Sequence, residues 1–379
     1  LGAVEHIADI IRARGPLTVA AFMDLALYDP DVGYYARAVQ RSGRAGDFFT
    51  SVDVGPLFGE LLEIQIAEMA SLLDPDQRRS FDLVEAGAGN GRLSADILRA
   101  ADRRDTAFLQ RTQLHLVEAS EQARIAQPAT LASFADRLMS SSVALPRAFE
   151  GVLIANELLD AFPVHQVVMR PEGLREVYVD AGADSRRPFT TREGPPSTPQ
   201  LAAYLDRLGI VLESGWRAEI NLRAVEWISN AAAALTRGFI ILIDYGHEAR
   251  DLYGVSHSTG TLTTFSRHVS GDPGEPSWLE RPGEQDITAH VDFTSIRAAA
   301  EAGGLTTVAF LDQTYFLLGL VGVRDAGRPA VRSSSHTDAM AIKTLVLPGG
   351  LGSTHKVLIL GKQVGRPQLL GSSFATRVT

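Results

Sequence analysis

The chain has 379 residues, 45% of them hydrophobic and 21% charged, with no cysteine and a formal net charge of −9. This is the composition of an ordinary globular protein; it excludes disulfides, thiolate metal sites and a cysteine nucleophile, and it fits a reducing cytoplasm. The acidic balance argues against general nucleic-acid affinity, and no run of about 18 apolar residues marks a transmembrane helix.

Residues 1–14 carry an amphipathic helical pattern through Val4, Ile7, Ala8, Ile10 and Ile11. The segment contains acids and does not resemble a signal or transit peptide. The part up to about residue 60 reads as helices followed by a loop, Gly46-Asp47-Phe48-Phe49-Thr50-Ser51. Residues 57–73 form a second amphipathic helix. A strand–helix alternation characteristic of a parallel sheet then begins. Phe81 to Glu85 is its first strand and Leu114 to Glu118 its second. A weakly marked third strand falls near Val143, Gly151 to Asn156 is the fourth, and Phe239 to Asp244 is the fifth.

Two insertions interrupt the series, at about 164–235 and 245–286. The first opens with a hairpin around Pro171-Glu172-Gly173. Residues 180–200 are rich in Gly, Pro, Ser, Thr and Arg, which predicts a mobile surface loop, and helices should fill about 201–235. After the second insertion come a helix over 293–302, a strand near 306–311, a polar loop over 322–337 and a last strand over 355–360. The expected fold is α/β: a doubly wound, mostly parallel sheet, with an N-terminal helical element (1–60) and one large domain (61–379) carrying both insertions.

The most informative stretch is Glu85-Ala86-Gly87-Ala88-Gly89-Asn90-Gly91-Arg92. Three glycines at alternate positions let the backbone turn sharply and let a ligand approach without a Cβ in the way. A dinucleotide loop would place its third glycine at position 92, which is Arg92. The G-x-G-x-G spacing, with Glu85 in front, suits S-adenosylmethionine, whose cationic end an acid attracts. A plain strand–helix turn is the other reading. Glu118, at the tip of the second strand, is placed to accept hydrogen bonds from ribose hydroxyls; a dinucleotide also has a ribose, so Glu118 alone does not choose between cofactors. His290 and Asp292 are metal-ligand types. No third ligand follows at a suggestive spacing, and Asp292 stands at a helix N-cap position, so no metal is expected.

Several segments, in order, resemble the MidA family of S-adenosylmethionine-dependent methyltransferases. They are Gly46–Ser51 leading to Phe58-Gly59-Glu60, Glu85–Leu93, Ala155-Asn156-Glu157-Leu158-Leu159-Asp160-Ala161-Phe162-Pro163-Val164-His165-Gln166, Ile243-Asp244-Tyr245-Gly246 and Asp286–Phe293. The family includes a mitochondrial complex I assembly factor that symmetrically dimethylates an arginine. The chain departs from the family at Ala88, at Val52-Asp53 and at Leu158-Leu159. The resemblance implies a protein arginine N-methyltransferase using S-adenosylmethionine. Its substrate would be a protein, a respiratory complex I subunit among the candidates. A small-molecule methyltransferase and a cofactor-binding assembly protein with little catalysis stay open as alternatives, and a homodimer is compatible with the reading. The resemblance places Asp47, Thr50 and Ser51 over the cofactor; read alone, Asp47 and Ser51 also suit a turn. Glu85, Gly87, Gly89, Gly91, Glu118 and Asn156 complete the expected cofactor set.

Methyl transfer from a sulfonium is an in-line displacement that depends on positioning. A guanidinium acceptor must also lose a proton, and carboxylates both fix its planar fork and steer its charge. Glu157 and Asp160, just past the fourth strand, are the candidates for that task, and His165 for a base. Asp160 as a helix cap and His165 as a packed strand residue are the simpler readings.

Overall fold

The structure is a computed structural model that describes residues 2–36, 50–184, 187–266, 269–270, 277–326, 336–346 and 354–374. At its centre lies a twisted sheet. We label its seven long strands β1 (Phe81–Ala86), β2 (Thr112–Val117), β3 (Leu138–Ser142), β4 (Phe149–Asn156), β5 (Leu235–His247), β6 (Thr306–Asp312) and β7 (His355–Lys362). Their order across the sheet is β6-β7-β5-β4-β1-β2-β3. All neighbours are parallel except β7, which runs antiparallel to both β5 and β6. This is the expected doubly wound sheet, and its C-terminal edge is where open α/β sheets bind ligands.

The central strands are apolar without interruption because both faces are covered. Side chains alternate between two cores. Leu83, Leu114, Leu116, Val152, Ile154, Ile241 and Ile243 face one side; Val84, Val117, Leu153, Ala155, Ile240 and Leu242 face the other. The first core is filled by α3 (Leu57–Leu73) and α4 (Arg92–Arg104). The two helices approach so closely that a Cβ on Gly59 would stand 2.6 Å from Asp96 Cβ, so glycine is required at this crossing.

The N-terminal helices α1 (Ala3–Arg14) and α2 (Val19–Tyr28) bury their apolar faces against the first insertion. Thr18 caps α2 by accepting a hydrogen bond from Ala21 N at 3.1 Å, as an N-cap threonine does. Leu17–Thr18 pairs antiparallel with Gly173–Asp184, which also pairs with His165–Arg170 and Arg187–Gly194. Phe22 of α2 meets Phe189 edge to face at 5.4 Å and Trp278 at 5.7 Å.

Several expectations need correction. The segment taken as a loop over 180–200 is mostly the second half of a hairpin, strands Gly173–Asp184 and Arg187–Gly194, followed by a helix from Gln200. Burial of Val177, Val179 and Phe189 against α2 outweighs the local Gly and Pro content. The helical stretch over 201–235 contains the strand Arg217–Ile220. The third strand ends at Ser142, and Val143 is exposed. Its serines suit an edge position, where one face needs no apolar cover. The polar loop over 322–337 is entered by helix Gln313–Ala326, and a further helix starts at His336; residues 327–335 lie outside the described set.

Candidate active site

The turn from β1 into α4 takes five residues and places Gly87, Gly89 and Gly91 at φ of 73°, 52° and 84°. These left-handed values disfavour any residue with a Cβ. The loop is knitted to the tip of β2: Gly87 N and Ala88 N donate to Val117 O at 2.9 and 3.1 Å. Glu118 then grips it, with Oε2 accepting from Gly89 N at 2.8 Å and Oε1 from Ser120 N at 2.8 Å. Gln127 Nε2 donates to Gly89 O at 2.8 Å, and Ser141 Oγ donates to Gln127 Oε1 at 2.6 Å. A Cβ added at Gly89 would meet no atom within 4 Å, so the loop borders open space there. Glu85 turns toward α4 instead, accepting from Ser94 N at 3.1 Å and from the Ser94 hydroxyl. Burial drives its carboxyl up to about 7.

Across the same edge, β4 and β5 end side by side, with Asn156 opposite Ile243. The next residue, Glu157, has φ 51°, an uncommon value for a non-glycine residue and a recurrent mark of functional turns. Its N–H donates to Ile243 O at 2.8 Å. The turn is held by Asp244: Oδ2 accepts from Leu158 N at 3.1 Å, Leu159 N at 2.8 Å and Asp160 N at 3.4 Å, and Oδ1 from Tyr245 N at 2.8 Å. The Glu157 side chain is 8% exposed and faces His355 of β7, with Nε2 at 3.6 Å from Oε1. Asn156 Nδ2 donates to the same Oε1 at 3.1 Å, and Asn156 Oδ1 is buried without a hydrogen-bond partner.

This turn is strongly acidic. Burial raises the Asp160 carboxyl well above the carboxylate range, and Asp244, Asp286 and Glu157 push it the same way. Burial also lifts Asp244 to about 7, with Glu157 adding to it against the N–H bonds that favour the charge. Two tyrosines border this corner. Tyr28 OH donates to Ala161 O at 3.0 Å, Tyr35 OH donates to Asp286 Oδ1 at 2.9 Å, and the rings stack at 5.3 Å.

Thr50 and Ser51 lie near the start of α4. Thr50 N and Oγ1 donate to Asp53 Oδ2 at 3.0 and 2.9 Å, while Arg92 Nη1 holds Asp53 Oδ1 at 2.8 Å. Ser51 is buried and bonds Gln313. Asp47 lies outside the described residues. His165 stands on the insertion sheet, with Nδ1 2.7 Å from Glu176 Oε1; the structure groups it with that buried acid. Asp292 is an N-cap, accepting from Thr294 N at 2.9 Å and Ser295 N at 3.2 Å. Tyr28, Tyr35 and His355 were not singled out from sequence. His355 carries no local signal, since only the antiparallel pairing of β7 with β5, Tyr245 opposite His355, brings it here.

Residues 61–311 match a family model described as "Putative S-adenosyl-L-methionine-dependent methyltransferase". The chain belongs to this methyltransferase family. Among curated proteins it is similar to the mouse mitochondrial "Protein arginine methyltransferase NDUFAF7", 29% identical over 87% of this chain and 78% of that one. The human counterpart is 28% identical over 83% and 72%. Among solved structures, a Burkholderia thailandensis protein bound to S-adenosyl-homocysteine superposes with a TM-score of 0.86, at 28% identity over 98% of this chain and 94% of that one. A second structure from the same organism gives 0.82. These matches support the MidA reading of the motifs.

The methyltransferase is S-adenosylmethionine-dependent, and the residues present fit that cofactor. The Gly89 loop opens on space that a Cβ would enter, Glu118 fixes that loop from the tip of β2 with acceptor lone pairs to spare, and Asn156 Oδ1 lacks a partner. When bound, the cofactor supplies an electrophilic methyl on a sulfonium.

Proposed function

We propose that this methyltransferase modifies the guanidinium of an arginine presented by a protein. The observation that carries the reading is the crowd of carboxylates beyond β4: Glu157 in a left-handed turn, with Asp244, Asp286 and Glu157 all raising the proton affinity of Asp160. Burying like charges together is costly unless a cation is brought among them. A guanidinium is a planar cation that carboxylates bind bidentately. The relatives named as protein arginine methyltransferases support the same acceptor. In this reading Gly87, Gly89, Gly91 and Glu118 hold the adenosine end of the cofactor, and Asn156 its amino-acid end. Thr50 and Ser51 cover the site, Asp47 is assigned to the same loop, and Glu85 fixes the loop through Ser94.

Glu157 clamps the guanidinium and localises charge away from the attacking nitrogen. As the nitrogen–methyl bond forms, the methyl–sulfur bond breaks and the nitrogen gives up a proton. Asp160 is the acceptor for that proton once the bound guanidinium offsets the burial and the acidic neighbours that otherwise hold its carboxyl in the protonated form. His165 has no role in this scheme. The cysteine-free composition supports a reducing compartment, and we assign the cytoplasm, which cell fractionation tests; the curated relatives are named as mitochondrial.

The deciding experiment supplies methyl-labelled S-adenosylmethionine and native lysate, then locates the label by mass spectrometry. Label on arginine nitrogens of one or a few proteins is the expected result. Symmetric dimethylarginine would extend the reading to the finer activity of the family. Label only in small molecules, or on another side chain, overturns the arginine assignment.

A further inference from the structure

Behind the pocket, three histidines from separate segments converge. His247 is the last residue of β5, His257 lies on the short turn Val255–His257 of the second insertion, and His290 precedes the strand Val291–Asp292. One ligand-capable nitrogen from each ring falls within 4.8 Å of the other two, and all three rings are half-buried. The ring centroids are 4.8, 5.3 and 5.7 Å apart. His257 Nδ1 lies 2.9 Å from Asp251 O. A carbonyl only accepts, so Nδ1 carries the proton and Nε2 keeps its lone pair, which is the tautomer selection that metal-binding histidines show. His290 Nδ1 is buried without a hydrogen-bond partner, an arrangement that costs free energy unless something fills it. Lys356, the nearby cation, is paired with Asp312.

We propose that His247, His257 and His290 bind a divalent transition-metal ion of the zinc type, with water completing the coordination. Imidazole nitrogens suit such ions, and three of them leave one open position in a tetrahedral site. Nitrogens on a tetrahedral zinc are about 3.3 Å apart, so the rings must close in by roughly 1.5 Å, within reach of side-chain rotation. Burial and the two neighbouring rings depress the His290 imidazole to about 4, and burial, then His257, depresses that of His247. The ion would tie the second insertion to the two segments that shape the carboxylate turn. Asp244 lies three residues before His247, and Ala289 N, beside His290, donates to Asp160 O at 3.0 Å.

The test uses untagged full-length protein stripped with chelator and titrated with Co2+, without substrate. We expect visible d–d bands of low-coordinate Co2+ that saturate at one equivalent and are bleached by Zn2+. Zn2+ at a hundredfold excess over its Kd should raise Tm by about 3 °C. His257→Gln and His247→Gln should each weaken binding beyond the about 10–100-fold typical of losing an outer-shell partner, while His115→Gln should bind as the parent does. His257 sits on a partly exposed turn, so its variant is expected to melt within about 2 °C of the metal-free parent. Protein-independent Co2+ spectra overturn the site, and so does binding that both trio variants leave intact.

Discussion

The two halves of the ligand edge handle their carboxylates in opposite ways. At the tips of β1 and β2, Glu118 and Glu85 are satisfied by the chain itself: backbone N–H groups of Gly89, Ser120 and Ser94 occupy their oxygens. At the tips of β4 and β5, Asp244 is spent in the same way on four N–H groups, but beside it Glu157, Asp160 and Asp286 gather into one cluster of acids, with Glu157 held by Asn156 and Asp286 by Tyr35. The first half is an assembled cradle with space above Gly89. The second is an electrostatically unfavourable pocket that a cation would relieve. A cradle of this kind is suited to a constant ligand and a poised pocket to an exchangeable one.

The largest expected effect comes from filling the cradle. Gly89→Val would put a branched side chain at φ 52°, adding about 1–2 kcal/mol of backbone strain and occupying the open space. S-adenosyl-homocysteine binding by calorimetry should fall at least about a hundredfold, equivalent to about 2.7 kcal/mol. Normal binding would mean that the loop serves only as a turn.

Next comes Glu157→Gln, which keeps size and hydrogen bonding but removes the charge. Losing one preorganised electrostatic contact costs about 2.7–4 kcal/mol in the transition state, so turnover on the identified acceptor should drop by about two orders of magnitude. Cofactor affinity should change little. If affinity falls and turnover of bound enzyme does not, Glu157 belongs to the cofactor half and the contrast drawn above fails.

A smaller effect concerns pH. Glu85 and Asp244 are both raised to about 7 from ordinary values of 4.5 and 3.8. Their folded forms hold the proton more tightly, so the stability they contribute is fully present below the unfolded pKa. It is lost as pH rises through about 7. Each contributes a slope of up to about 1.4 kcal/mol per pH unit in that window. Melting temperature should therefore decline across this range, and Glu85→Gln should flatten the decline. A profile unchanged by that substitution would show that Ser94 keeps Glu85 ionised throughout.

The smallest effect should come from His165→Gln. The ring is committed to Glu176 on the insertion sheet, and turnover should stay within about twofold, as for changes away from the reacting groups. A large fall in kcat, with a shifted acidic limb of the pH profile, would return His165 to the chemistry.

The parallel sheet was legible in the sequence because its strands are continuous apolar runs and its turns carry glycine. Local sterics made the strand–loop–helix around Gly87, Gly89 and Gly91 readable, and the acid at the tip of β2 followed from the same geometry. Burial by remote segments was not legible. Val177, Val179 and Phe189 form a hairpin because α2, far away in the chain, covers them, and the Gly- and Pro-rich composition around them pointed the other way. Likewise the candidate carboxylates could be listed from one motif, but not their surroundings. His355 reaches Glu157 only through an antiparallel pairing, Tyr35 reaches Asp286 across 251 positions, and His247 and His257 join His290 only when β5 and the second insertion are folded. Sequence periodicity and turn chemistry report on neighbours along the chain. The charge environment of a buried group depends on neighbours in space, and only the packed sheet edge decided those.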